Sequence, residues 1–145
     1  MDRHEALEAL FDEVRLSWHR IVQVTETLHA DEPVTLGMRG VLEFLQRGGA
    51  ASVPHIARSR HVSRQHIQSL VNPLAEEGLV ELRENPAHRR SPLVGLTTLG
   101  ERLIRRLRQR ERRTFASMEI DVSERQLEAA TRTLRALRLS LKEEA

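Results

Sequence analysis

The sequence predicts a mainly α-helical protein with a small β-wing. Three observations support this: helical apolar spacing fills both ends of the chain, two short helical patterns with a tight link occupy the middle, and two short β-capable runs follow them. Helix, turn, helix and a two-stranded ribbon is the order of a winged helix-turn-helix, whose second helix can enter a DNA major groove. At 145 residues the chain is predicted to form a single domain, 1–145.

The helix-turn-helix is predicted over residues 53–78. Its apolar residues recur at helical spacing, first in a short helix and then in a longer one: Val53, Ile56 and Ala57, followed by Ile67, Leu70, Val71 and Leu74. Ser63 is the predicted N-cap of the second helix, because its hydroxyl can accept from a free backbone N–H one turn on. Gly78 is its predicted end, since glycine tolerates left-handed dihedral angles. Pro73 lies inside the pattern and either bends the last turn or is absorbed there.

The wing is predicted directly after Gly78. Residues 79–83 and 93–97 are short β-capable runs, and residues 84–92 between them are rich in turn formers and arginine. Residues 34–97 are therefore predicted to form a winged helix-turn-helix DNA-binding region with a basic wing tip.

The predicted helices outside the helix-turn-helix span 5–29, 35–47, 98–118 and 124–142. Ser52 is a candidate cap for the first short helix, and Thr98 is the predicted cap of the helix after the wing. Ser123 with Gln126 fits a capping box for the last helix. Glycines 48 and 49 end the helix over 35–47.

Apolar heptads lie at the two ends of the chain. The first helix has one at Leu7, Phe11, Val14, Trp18, Ile21, Thr25 and Leu28, and the last has one at Leu127, Ala130, Leu134, Leu137 and Leu141. A small domain cannot cover both stripes by itself, so residues 1–32 and 98–145 are predicted to be dimerisation helices of a homodimer.

The chain resembles the MarR family of bacterial transcription regulators. The residues that carry the resemblance are Val62-Ser63-Arg64-Gln65, 74–80 (LAEEGLV), 85–90 (NPAHRR) and 96–100 (LTTLG), together with the order of elements. Two residues depart from the pattern: His88 stands where the family wing often has an acidic residue, and Pro73 lies in the second helix of the helix-turn-helix. The resemblance implies a homodimer on a pseudo-palindromic operator, acting as a repressor that a small-molecule effector releases from DNA.

Side chains on the second short helix are the candidates for DNA contact. Arg64, Gln65 and Gln68 can reach base edges, because arginine bonds guanine and glutamine bonds adenine in a bidentate way. Ser63 and His66 are predicted to touch phosphate, which positions the protein without specifying a sequence. The alternative is an ordinary solvated helix face, which the wing makes less favoured. With the wing arginines, the predicted DNA-binding residues are Ser63, Arg64, Gln65, His66, Gln68, Ser69, Arg89 and Arg90.

The two wing arginines are predicted to play different parts. Adjacent side chains on a β-ribbon point to opposite sides, so one of them, with Arg90 preferred, is expected to enter a minor groove. Arg89 would then hold phosphate or pair with Glu84. The arginine-rich helix after the wing is either a second nucleic-acid surface or, as we prefer, a solvated face whose Glu101 and Glu111 pair along the helix with nearby arginines, Arg105 and Arg108.

Composition excludes several classes of protein. The chain has no cysteine, so disulfides, thiolate metal sites and thiol redox sensing are excluded. Its net charge is +2, but residues 53–75 contain three arginines and no acid, which suits binding of nucleic acid by one face. No catalytic constellation, cofactor motif, paired metal-ligand spacing, signal peptide or membrane-spanning run is present, so a soluble cytoplasmic protein that is not an enzyme is expected.

Other functions stay open at this stage. In the resembled family, small effectors bind between the dimerisation helices and the DNA-binding region, where Trp18, Met38 and Phe44 could line a pocket; Trp18 otherwise lies in the core or the dimer interface. The seven histidines allow a metal-responsive regulator as an alternative. A protein-interaction adaptor that uses a winged helix without binding DNA is the other.

Overall fold

The computed structural model describes residues 1–141. Its helices are α1 (Arg3–Leu28), α2 (Leu36–Gly48), α3 (Val53–Arg60), α4 (Arg64–Glu76), α5 (Thr98–Ser117) and α6 (Glu124–Ser140). Its strands are β1 (Ala51–Ser52), β2 (Val80–Arg83) and β3 (Leu93–Leu96). The predicted fold class is confirmed. The predicted end of the last helix at Lys142 lies outside the described residues.

The chain divides into two compact units, Met1–Arg113 and a second that begins at Thr114. The first unit contains the winged helix-turn-helix and its hydrophobic core. That core unites residues from α2, α3, α4, the sheet and α5: Met38, Val41, Leu42, Leu45, Ala51, Ile56, Ala57, Ile67, Val71, Leu74, Leu79, Val80, Val94, Leu103, Ile104 and Leu107. The predicted buried face of α4 is confirmed at Ile67, Val71 and Leu74, which holds the opposite face of that helix toward solvent.

Polar caps determine where the helices begin. The hydroxyls of Ser52, Ser63 and Ser123 each accept a backbone N–H three residues on, as predicted. Gln126 completes the capping box at the start of α6. Helix α1 begins at Arg3, two residues earlier than predicted, because Asp2 and Glu5 form a capping box there.

The sheet has three strands, whereas the sequence predicted a two-stranded ribbon. Ala51 and Ser52 form β1, which pairs antiparallel with β3, and the strand order is β1-β3-β2. A two-residue strand has too little periodicity to be recognised in sequence, which is the reason for the error. The extra strand makes β3 the central strand and ties the base of the wing to the start of α3.

Helix α4 continues through Pro73 to Glu76. Gly78 follows with a φ of 71°, which confirms the predicted helix end, because this left-handed backbone favours glycine. The turn at Gly78 sends the chain directly into β2.

Thr97, and not Thr98 as predicted, caps α5. Its hydroxyl accepts the Gly100 N–H at 3.1 Å and donates to the Gly78 carbonyl at 2.6 Å, while its own N–H donates to the Leu79 carbonyl at 3.2 Å. One threonine therefore joins the end of α4, the start of β2 and the start of α5.

The apolar stripe of α5 also differs from the one that the sequence predicts, which consists of Leu99, Leu103, Leu107, Phe115 and Met118. Leu103, Ile104 and Leu107 are buried, but Leu99 is 54% exposed. Ile104, which the predicted stripe omits, is fully buried in the core beside Leu103 and Leu107.

The terminal helices expose their heptads. On α1 the side chains of Val14, Trp18 and Ile21 are exposed, and in the second unit Leu127 and Leu134 of α6 are exposed. Apolar stripes open to solvent are what a partner chain would cover.

Candidate nucleic-acid interface

The first two turns of α4 present a row of polar side chains. The Ser63 hydroxyl accepts the His66 N–H at 3.0 Å and so fixes the first turn. Ile67 is fully buried, and its neighbours in the chain are exposed: Arg64, Gln65, His66, Gln68 and Ser69. The structure therefore brings all the residues predicted on this helix to one solvent-facing surface.

Two of these side chains are held by bonds along the helix. The Ser69 hydroxyl donates to the His66 carbonyl at 2.6 Å, and Gln68 Nε2 donates to Asn72 Oδ1 at 2.7 Å. Within residues 1–141 the side chains of Arg64, Gln65 and His66 form no hydrogen bond or ion pair, and all three residues are exposed.

The wing tip is organised by Asn85. Its Nδ2 donates to the Ser91 carbonyl at 2.9 Å, and its Oδ1 accepts the Ala87 N–H at 3.2 Å. The Ser91 N–H donates to the His88 carbonyl at 3.2 Å, which closes a turn around Arg89 and Arg90.

This turn corrects the argument used for the wing arginines. They are the central residues of a turn and not of a strand, so strand alternation does not apply to them. They nevertheless lie on different sides of the wing. Arg90 lines a groove with Arg64 and Gln65, whereas Arg89 lines a separate cleft with Glu84 and Asn85.

The groove between α4 and the wing has a volume of about 350 Å³. Its residues come from α3, α4 and the hairpin: Val53, Pro54, Arg64, Gln65, Gln68, Leu82, Arg90, Ser91 and Pro92. None of these residues is acidic. Two guanidinium groups and two amides therefore share one groove without a carboxylate to neutralise them.

A second cleft adjoins the groove and shares Arg64 with it. The cleft is about 560 Å³ in volume and contains His55, Arg58 and His88, again with no acidic residue in its lining. Phe44 packs against the His55 ring with centroids 6.0 Å apart. Both openings are lined by arginine side chains and by no carboxylate, a charge distribution that favours a polyanion.

The hairpin is stiffened behind this surface by Arg83. Its Nη2 donates to the Leu96 carbonyl at 2.9 Å, and its Nε donates to Glu81 Oε1 at 3.0 Å. The Arg83 guanidinium also covers Gly95 on the facing strand, where a side chain would overlap it. The Arg83 guanidinium is therefore bonded within the hairpin, unlike the arginines of the wing tip.

An ion-pair network missed by the sequence analysis lies between the α1–α2 linker and α5. Glu32 accepts two hydrogen bonds from Arg106, at 2.9 and 3.0 Å, and a third contact from Arg110 at 3.0 Å. Asp31 accepts from Arg110 at 2.9 Å. The hydrogen bond from Arg106 lowers the pKa of Glu32, that from Arg110 lowers the pKa of Asp31, and Glu32 raises the pKa of Arg106.

Glu111 forms a separate ion-pair cluster and corrects a second prediction. It was expected to pair along α5 with Arg108, but its Oε1 accepts from His29 at 3.0 Å and from Arg39 at 3.1 Å. Both partners are buried, with His29 at 3% and Arg39 at 6% exposure. The predicted pair of Glu101 with Arg105 is present at 3.8 Å. Paired in this way, Arg106 and Arg110 hold α5 to the linker.

The residues predicted to line an effector pocket lie in different surroundings. Met38 belongs to the hydrophobic core, Phe44 lines the cleft described above, and Trp18 is 56% exposed on α1. Neither Met38 nor Trp18 is among the residues that line that cleft. An effector site at these three residues stays a prediction.

Residues 1–141 contain neither a cluster of metal-ligand side chains nor a membrane-spanning helix. Within that range no group of three or more histidine, cysteine or acidic side chains is arranged to hold a metal ion. No helix in the same range is long and apolar enough to cross a membrane.

The chain is similar to known proteins in both sequence and structure. The sequence profile of the MarR family matches residues 39–91. An uncharacterised protein of Mycobacterium tuberculosis is 38% identical over 95 residues, which is 66% of each chain, so the match spans slightly less than two thirds of that relative. The crystal structure of a MarR family transcription regulator superimposes with a TM-score of 0.81 at 29% identity, over 98% of both chains. BpsR of Bordetella bronchiseptica, described as regulated in its DNA binding by 6-hydroxynicotinic acid, superimposes with a TM-score of 0.77 at 21% identity, over 91% of this chain and 93% of that one.

Proposed function

We propose that this chain, which belongs to the MarR family of transcription regulators, binds double-stranded DNA as a homodimer and represses transcription from a pseudo-palindromic operator. The observation that carries the proposal is the acid-free groove between α4 and the wing, where Arg64, Gln65, Gln68 and Arg90 meet. Neutral amides beside guanidinium groups suit base edges flanked by phosphates.

Each side chain of the interface has a distinct part in the proposal. Arg64 bonds a guanine edge, and Gln65 and Gln68 contact bases in the major groove. At the N-terminal end of α4, Ser63 and His66 hold phosphate, and Ser69 contributes a further polar group.

The wing adds contacts outside the major groove. Arg90 lines the groove between α4 and the wing, and in the proposal it enters the DNA minor groove next to that major groove, where the negative potential attracts arginine. Arg89, on the other side of the turn, contacts phosphate. Arg58 and His55, in the cleft that shares Arg64, are further phosphate contacts.

Dimerisation completes the operator-binding unit. The exposed heptads of α1 and α6 support burial against a second copy of the chain. A symmetric dimer would place two α4 helices in successive major grooves, about 10 base pairs apart.

Release from DNA is proposed to follow binding of a small-molecule effector in the cytoplasm. An effector that favours a dimer with the wrong half-site spacing shifts the population away from the DNA-bound form. Trp18, Met38 and Phe44 are the residues to substitute first in a search for its site.

The test is selection of random duplex DNA by the purified protein, followed by sequencing of the retained DNA. The proposal predicts a palindrome that is lost with Arg64→Ala and kept with Arg105→Ala, an exposed α5 arginine that pairs with Glu101. Retention of no motif by the wild-type protein at low salt would contradict the proposal.

A further inference from the structure

The side chain of Gln68 is already held in one orientation before any DNA is bound. It lies in the groove between α4 and the wing, and its Nε2 donates to Asn72 Oδ1 at 2.7 Å. Asn72 is exposed one helical turn further on, and the two side chains are neighbours on the helix surface because they are four residues apart. Asn72 is not among the residues lining the groove, so it contacts Gln68 from behind.

This bond determines what the amide of Gln68 offers to a base. An amide nitrogen carries two hydrogens and the amide oxygen can accept. With one hydrogen engaged by Asn72, a single N–H and the Oε1 acceptor remain side by side. Rotating the Gln68 amide alone by half a turn would set Oε1 against Oδ1, where two acceptors repel, so the arrangement reverses only if both amides turn together.

One donor next to one acceptor is the complement of adenine in the major groove. Adenine presents N7 as an acceptor and its N6 amino group as a donor. Guanine presents two acceptors and cytosine presents a donor from its amino group, so neither matches both atoms of the held amide.

We propose that Asn72 is a positioning residue that fixes the Gln68 amide to recognise adenine at one position in each half-site. The inference rests on the proposed DNA-binding function and adds to it the identity of a base and a residue that does not touch the base itself. Holding the side chain in advance also removes rotamer entropy that binding would otherwise cost.

The experiment measures dissociation constants for the selected operator and for versions with each other base pair at the position concerned. That position is the one where Gln68→Ala flattens the preference. The wild-type protein is expected to prefer adenine there by about tenfold, and Gln68→Ala to bind all four versions about equally. The ratio between operators is insensitive to any loss of folded protein.

Two substitutions of Asn72 separate positioning from a merely structural role. Asn72→Ala removes the acceptor and is expected to reduce the preference to about twofold or threefold. Asn72→Asp keeps only acceptors, so it should retain the preference for adenine while its charge weakens binding to every operator to a similar extent. A structural role would predict that Asn72→Ala, too, weakens binding to all operators equally.

Three results would overturn the inference. In the first, the base preference that Gln68→Ala removes is for a base other than adenine. The second is an unchanged preference with Asn72→Ala, and the third is its loss with Asn72→Asp. In each case the palindrome is still recovered, so the proposed function stands; recovery of no motif by the wild-type protein would overturn both.

Discussion

Gly100 lies where the backbone of α5 passes against the backbone of Leu79. A Cβ at this position would overlap the Leu79 carbonyl, and backbone on both sides leaves no flexible side chain to move away. By contrast, a Cβ at Gly48, the last residue of α2, would have no heavy atom within 4 Å.

We expect Gly100→Ala to lower the free energy of unfolding by about 1–3 kcal/mol, because the two backbones must separate. Gly48→Ala is the matched control and should be neutral or stabilising by up to about 1 kcal/mol, since alanine is the better helix former. Urea unfolding followed by circular dichroism measures both. Equal effects would show that the approach of α5 to Leu79 is looser than described.

The wing arginines allow a second comparison of neighbouring residues. Arg90→Ala should weaken binding to the operator by about 1–3 kcal/mol and relax the base preference at the edge of the half-site. The reason is that Arg90 lines the groove between α4 and the wing. Arg89→Ala should weaken binding uniformly and reduce the salt dependence by about one counterion. Fluorescence anisotropy over a salt series distinguishes the two; the reverse assignment would show that Arg89 enters the minor groove.

Single residues were predictable from the sequence where the cause was local. The caps at Ser63 and Ser123 depend on groups within three residues, and the positive φ at Gly78 follows from glycine itself. Thr97 was missed as the cap of α5 because Thr98 beside it is chemically equivalent, and only the distant Gly78 carbonyl favours the first of the two.

At the scale of elements, the linker between α1 and α2 is tied to α5 by charge. Glu32 is 9% exposed in its side chain and accepts from Arg106 and Arg110 together. His29, Arg39 and Glu111 form a second, more buried cluster that also holds α5. Several partly buried pairs that share partners contribute more than isolated surface pairs do.

This network predicts a loss of stability in acid. The hydrogen bond from Arg106 lowers the pKa of Glu32 below its ordinary value of 4.5, so the folded state favours the carboxylate. Its contribution is complete above the ordinary pKa and is lost as the pH falls through the lowered one. Glu32→Gln should therefore lower the free energy of unfolding by about 1.5–3 kcal/mol near neutral pH.

At acidic pH, well below 4.5, the difference between wild type and Glu32→Gln should shrink, because the wild-type carboxylate becomes protonated as the pH falls through its lowered pKa. Urea unfolding at both pH values measures it. Glu101→Gln is the control, since its exposed pair with Arg105 should be worth less than about 1 kcal/mol at either pH. A difference for Glu32→Gln that grows on acidification would contradict the assignment.

Elements were less predictable where contacts are distant in sequence. Glu111 and His29 are 82 residues apart, whereas the spacing within one helix predicts a pair of Glu111 with Arg108. Strand β1 was missed for the same reason: Ala51 and Ser52 become a strand only because β3 lies beside them. The helices of the helix-turn-helix were found because their apolar spacing is local.

The proposed homodimer forms through the exposed apolar stripe of α1. Ile21 and Leu16 lie on this helix with similar exposure, 53% and 62%, but only Ile21 is on the heptad seam. Ile21→Glu should weaken dimerisation at least about tenfold, since it buries a charge in the seam. Leu16→Glu should leave it nearly unchanged.

Sedimentation equilibrium measures both variants. A dimer that tolerates Ile21→Glu, or that is equally weakened by Leu16→Glu, would show that the seam is not the interface.

In the proposed complex, a two-fold dimer sets two α4 helices into DNA at a fixed spacing. The most direct measurement is the affinity for the selected palindrome before and after insertion of about 5 base pairs, half a helical turn, between its halves. We predict that the insertion reduces affinity to that of an isolated half-site, because the second helix then meets the wrong face of the duplex. Affinity unchanged by the insertion would contradict the account, since it would mean that each α4 binds DNA independently of a partner.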